Sequence, residues 1–89
     1  MYLVIRCPGC LSFTYVDRYQ IWKLCPVCGE TIEVRSASAY LDTRSFQDAE
    51  NIVDVLENYL HRSGRPDLSD EEKKILHAEY IHWIRANPL

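Results

Sequence analysis

Two short stretches, Cys7-Pro8-Gly9-Cys10 and Cys25-Pro26-Val27-Cys28-Gly29, decide how this chain is read. Each holds a C-x-x-C pair, fourteen residues lie between Cys10 and Cys25, and the chain has no other cysteine. Four thiols are what one tetrahedral zinc site requires. The segment between the pairs is long enough for a two-stranded hairpin that brings them together at its base. That is the logic of a zinc ribbon, here with a spacing shorter than the usual pattern. Cys7, Cys10, Cys25 and Cys28 are therefore the candidate metal ligands. In the second pair Pro26 stiffens the loop and Gly29 permits a positive φ. The first pair has Gly9 inside the loop and Leu11 after its second cysteine, so a less regular knuckle is expected there.

A chain of 89 residues has little core to bury, and folds of this size lean on a metal or on disulfides. Structural zinc supplies an apparent ~10–16 kcal/mol in finger peptides, against roughly 5–15 kcal/mol for the whole stability of an ordinary domain. The ribbon is thus expected to fold only with metal. Disulfides would need an oxidising compartment. The opening Met1-Tyr2-Leu3-Val4-Ile5-Arg6 lacks a basic leader, and its apolar run is too short for a signal peptide. No stretch approaches the ~18–20 apolar residues of a membrane helix. A reducing, cytoplasmic setting is the expectation, and it favours zinc. Iron is the rival, because residues 25–29 also look like half of a rubredoxin site and four thiolates bind either metal. Redox catalysis fits less well. A thioredoxin-like C-x-x-C opens a helix after a strand, whereas these pairs sit in Pro- and Gly-bearing knuckles between short strands.

Outward from the knuckles, residues 2–6 form an apolar, β-branched run. Residues 13–16 and 21–24 flank a polar Asp17-Arg18-Tyr19-Gln20 tip, as in a hairpin. Residues 31–35 alternate, with Ile32 and Val34 on one face. After the small joint Ser36-Ala37-Ser38-Ala39 the period changes, and Phe46, Ala49, Ile52, Val53, Leu56, Tyr59 and Leu60 recur at helical spacing. Ser45 with Asp48 can cap the start, and Gly64-Arg65-Pro66 is a stop signal. Ser69 with Glu72 is a capping box for a second helix. Asp70 and Glu71 lie in its first turn and Arg85 near its end, where each complements the helix dipole. A short connection between two helices implies an antiparallel pair. The expected fold class is small α+β. A four-cysteine ribbon of short antiparallel strands over residues 1–35 precedes an antiparallel two-helix hairpin over 36–89. The helices fall at about 46–62 and 70–86, and the two parts are packed as one unit.

The opening seven residues, the second knuckle followed by Thr31-Ile32-Glu33-Val34, and the acidic helix beginning near Phe46-Gln47-Asp48-Ala49 resemble a family of small archaeal zinc-ribbon proteins of unknown function. The likeness covers roughly residues 1–62, and residues 67–89 look like an addition. The resemblance implies a cytoplasmic archaeal protein with the ribbon-plus-helix layout. It implies no activity.

Charge separates the two parts. Residues 1–35 carry four bases against three acids, and residues 36–89 six bases against ten acids, within a net charge of −3. Four thiolates around zinc add −2 to the ribbon and take it from +1 to −1. Neither half is the basic surface that grips phosphates non-specifically. Arg18, Tyr19, Trp22 and Lys23 are the candidate nucleic-acid contacts, by stacking and phosphate contact. Packing of Tyr19 and Trp22 against the helices is the favoured alternative. Asp17 has no neighbouring acid with which to hold a catalytic magnesium. His77 and His82 are five apart and point away from each other on a helix, so they and His61 read as surface residues rather than a second metal site. No Ser/His/Asp arrangement, phosphate loop or metalloprotease motif is present, and no enzyme or small-molecule substrate is expected. In the second helix Ile75, Leu76, Ala78, Tyr80, Ile81, Trp83 and Ile84 spread over a wide arc. A helix apolar on more than one face is covered on more than one side. Ile81 and Ile84 are assigned to the first helix, and Tyr80 and Trp83 are the candidate anchors of a protein interface. The expected function is a non-enzymatic, zinc-stabilised module for protein–protein contact or self-association, such as an accessory subunit of a larger assembly. The alternative is a nucleic-acid-binding ribbon acting through the tip in transcription or translation.

Overall fold

The structure is a computed structural model and describes residues 1–88. Five short strands precede two helices: β1 (Tyr2–Arg6), β2 (Phe13–Asp17), β3 (Trp22–Leu24), β4 (Thr31–Glu33), β5 (Ala39–Thr43), α1 (Phe46–Ser63) and α2 (Asp70–Ala86). All strand pairings are antiparallel. β1 is the middle strand of a three-stranded sheet ordered β2-β1-β5, and β3 and β4 form a separate two-stranded sheet.

This pairing corrects the expected hairpin. The segments on either side of the Asp17–Gln20 tip, β2 and β3, belong to different sheets. Each C-x-x-C is itself the loop of a hairpin, the first joining β1 to β2 and the second joining β3 to β4. The tip is a crossing turn between the sheets, closed by Gln20 N–H donating to the Asp17 carbonyl at 3.0 Å and Tyr19 N–H donating to Asp17 Oδ1 at 2.9 Å.

The alternation of β1 builds two cores at once. Val4, at 0% exposure, joins Phe13, Tyr40, Leu41, Ala49, Leu56 and Leu60 on the helix side. Ile5, also at 0%, joins Cys7, Val16, Cys25, Ile32 and Val34 on the knuckle side. A sheet buried on both faces reads as a near-continuous apolar run, which is what Tyr2-Leu3-Val4-Ile5 is. Strand β5 emerges from what reads in sequence as a plain joint. Its register against β1 steps from Val4↔Leu41 to Ile5↔Ala39, so Tyr40 is the extra residue of a β-bulge. A bulge re-aims a side chain, and here it lets consecutive residues Tyr40 and Leu41 enter the same core.

Both helices carry the caps read from the sequence. Ser45 accepts from Asp48 N–H at the start of α1, and Gly64 ends it in the left-handed conformation at φ 66°. Ser69 and Glu72 form the full reciprocal box on α2. The helices run antiparallel. Tyr80, late in α2, donates to Asp48 at the start of α1 over 2.8 Å. Tyr59, late in α1, hydrogen-bonds Glu72 at the start of α2. Two further bonds seat α1 on the sheet: Phe13 N–H donates to Glu57 at 2.7 Å and Tyr15 Oη to Glu50 at 2.8 Å. Among the described residues no helix is long and apolar enough to cross a membrane.

Candidate metal centre

The two knuckles are built alike, bond for bond. Leu11 N–H donates to the Cys7 carbonyl and Gly29 N–H to the Cys25 carbonyl, each at 2.9 Å. Cys7 N–H donates to the Ser12 carbonyl at 2.9 Å and Cys25 N–H to the Glu30 carbonyl at 2.8 Å. The first knuckle is therefore as regular as the second, contrary to the expectation from Leu11. The turn needs a left-handed residue after the second cysteine, and Leu11 adopts it at φ 64° where Gly29 has φ 75°. For a side chain with a Cβ that conformation costs roughly 1–2 kcal/mol.

Facing each other, the knuckles bring all four sulfurs within 4.8 Å of one another. Cys7 Sγ is 3.7 Å from Cys28 Sγ, and Cys10 Sγ is 3.6 Å from Cys25 Sγ. A tetrahedral ion with metal–sulfur bonds of about 2.3 Å requires sulfurs about 3.8 Å apart, so the cluster is of the size that holds one ion. No pair is bridged as a disulfide. Cys7 and Cys25 are buried, Cys10 is half-buried and Cys28 is exposed.

Local donors prepare the sulfurs for negative charge. The Ser12 hydroxyl and then its N–H hold the Cys10 thiol down at about 6. The Cys28 N–H, with that of Val27, holds Cys25 below its usual value against desolvation. At Cys28 the Glu30 N–H pulls the same way, but desolvation and the three neighbouring thiols outweigh it and push the group up to about 12. Four thiols this close cannot all ionise without a cation among them. A divalent ion removes that conflict, and its binding must expel protons.

The tip residues lie on the outside. Tyr19 is 86% and Trp22 55% exposed, which overturns their expected packing against the helices. The reason is topological: α1 covers the face of the three-stranded sheet, and β3 belongs to the other sheet. Arg18 is drawn to Asp42 at 3.3 Å, and the Lys23 ammonium sits 5.7 Å from the Tyr15 ring centroid. Trp22 and Leu24 share one face of the β3–β4 hairpin, opposite Glu33 and Thr31. With Ile21 and Val27 they leave the hairpin lined by exposed apolar side chains, a grouping that alternation alone does not mark as outward.

Of the two anchors expected in α2, Tyr80 is a core residue. It is 8% exposed, donates to Asp48 and accepts from Arg44 N–H at 2.9 Å. Trp83 remains 44% exposed, stacked on Tyr80 with the Arg44 guanidinium over its ring. Ile84 packs against the helix-side core as expected, whereas Ile81 faces outward at 45% exposure. His61, His77 and His82 are exposed. The chain matches no family model, no curated protein and no solved structure.

Proposed function

We propose that this chain is a non-enzymatic, zinc-stabilised interaction module that docks a protein partner on the outer face of its second knuckle hairpin. Zinc is the ion of this reading, and four protein sulfurs closing the tetrahedron leave no open position for a catalytic water. A reducing, cytoplasmic location belongs to the same reading, since the ligands must stay thiolates. The observation that carries it is the exposure of Tyr19, Ile21, Trp22, Leu24 and Val27, each 55% or more, within nine consecutive residues. Apolar exposure grouped this way marks contact surfaces.

The second reading is nucleic-acid contact through Arg18, Tyr19, Trp22 and Lys23, favoured by the exposure of the two rings. Against it, Arg18 already pairs with Asp42, and Asp17, Glu30 and Glu33 share the exposed surface. The test is crosslinking capture from native cells with the zinc-loaded chain, run beside Trp22→Ser/Leu24→Ser and a salt-dependent titration with RNA and DNA. The protein reading predicts capture of a defined partner that the double variant loses while keeping its zinc. Unchanged capture by the variant contradicts the docking face. Tight nucleic-acid binding that weakens steeply with salt transfers the role to the second reading.

A further inference from the structure

Strands β3 and β4 form a sheet of their own, so each has one edge turned away from the other. The hydrogen-bond phase fixes what β3 presents along that edge. Val34 N–H donates to the Ile21 carbonyl at 3.0 Å, and Cys25 N–H to the Glu30 carbonyl at 2.8 Å. Alternation between those two bonded pairs makes Lys23↔Ile32 bonded as well. Trp22 and Leu24 fall in the pairs between, so their N–H and C=O groups point outward from the sheet. Of these groups only the Trp22 carbonyl has a partner among the described residues, the exposed side-chain amide of Gln20. The outer edges of β2 and β4 are occupied. Phe13 N–H on β2 donates to Glu57 of α1 at 2.7 Å. On β4 the Glu33 carbonyl accepts from Ser36 and Ala37 N–H, each at 3.1 Å.

An open strand edge is a template for another strand. Main-chain bonds with alternating side chains are how such an edge takes an extended peptide. Lys23 sets the register. Its side chain lies on the face opposite Trp22 and Leu24, with the ammonium 5.7 Å from the Tyr15 ring centroid. It makes no ion pair among the described residues, and the Tyr15 hydroxyl is already given to Glu50. In an antiparallel strand bonded to Trp22 and Leu24, the residue opposite Lys23 falls in a non-bonded pair, where side chains come closest. An acid there is attracted. Glu33 does not oppose it, being one strand removed on β4 and paired with Trp22 on the other face. A second copy in the register that bonds both residues would set Lys23 against its own equivalent, and like charges directly opposite repel. We infer that a partner protein docks on this hairpin by adding an extended strand antiparallel to β3, with an acidic residue opposite Lys23 and apolar residues opposite Trp22 and Leu24, an inference that rests on the docking reading of the same hairpin.

The test uses the full zinc-loaded chain with Trp83→Phe, so that Trp22 is the only tryptophan. It is titrated with a synthetic capped peptide whose Val-Glu-Val core is flanked by threonines. Binding is expected to shift Trp22 emission, to saturate, and to slow amide exchange at Trp22 and Leu24. N-methylation of either valine, whose N–H meets β3, should weaken binding by about tenfold. N-methylation of the glutamate, whose N–H points away, should not. Lys23→Glu should weaken the same peptide by about tenfold and favour a Val-Lys-Val core instead. An absent or unsaturable shift overturns the inference, as does indifference to the site of N-methylation or to the charge opposite residue 23. Slowed exchange at Trp22 and Leu24 on concentrating the chain alone gives the edge to a second copy and overturns it too. If Trp22→Ser/Leu24→Ser abolishes partner capture while N-methylation has no effect, the docking face stands and only the added strand falls. If that variant captures the partner unchanged, the docking face falls and the strand with it.

Discussion

Leu11 and Gly29 hold the same place in the two knuckles, yet only one is a glycine. Leu11→Gly should remove left-handed strain without emptying any core, because the side chain is exposed. A gain of about 1 kcal/mol is expected, the strain relieved less the extra entropy of glycine in the unfolded chain. Thermal or denaturant unfolding of the zinc-loaded variant measures it. Tyr80 illustrates what spacing cannot say. Helical periodicity puts Tyr80 and Trp83 on neighbouring positions, but a hydroxyl that donates to Asp48 and accepts from Arg44 N–H draws only Tyr80 inward. Tyr80→Phe keeps the ring but leaves Arg44 N–H without its acceptor and Asp48 with Arg44 Nε alone, so a loss of about 1–3 kcal/mol is expected on unfolding. The clustering of the four cysteines, by contrast, is legible from sequence because a C-x-x-C knuckle is a local object whose bonds span five residues or fewer.

At the scale of elements, α1 and α2 are readable for the same reason: their caps lie within a turn of their ends. Ser69→Ala should cost about 1 kcal/mol and fray the start of α2, seen as faster amide exchange of its first turn. Strand pairing is not local. β2 has two sterically reasonable neighbours, β1 across the first knuckle and β3 across the Asp17–Gln20 turn, and the sequence spacing suits either. The choice falls to β1 because each knuckle already closes a hairpin. β5 hides for a related reason. Tyr40 and Leu41 enter one core through a bulge, so the strand shows no alternation to read. The helical half also has an alkaline limit. Burial, then the bond to Asp48, raises Tyr80 above the ordinary tyrosine value, and burial with the bond to Asp67 does the same for Tyr40. A raised folded value means that their stabilisation is whole below pH about 10 and is lost as pH rises through the raised values. Tyrosinate absorbance and helical circular dichroism should therefore change together as pH rises past about 10.

Across the whole molecule, β1 ties the halves together, with Val4 in the helix-side core and Ile5 in the knuckle-side core. Stripping the metal with a chelator should then unfold ribbon and helices in one transition rather than leave the α1–α2 pair standing. Circular dichroism and tyrosine fluorescence followed through the chelator titration should coincide. Acid should act in the same direction, since protons compete with the ion for all four sulfurs. The most direct test of the account is native mass spectrometry of the purified full chain beside Cys10→Ser. The account predicts one zinc per chain, four unoxidised cysteines, and loss of both metal and compact fold in the variant. A stoichiometric iron, or a compact metal-free chain carrying two disulfides, would contradict it.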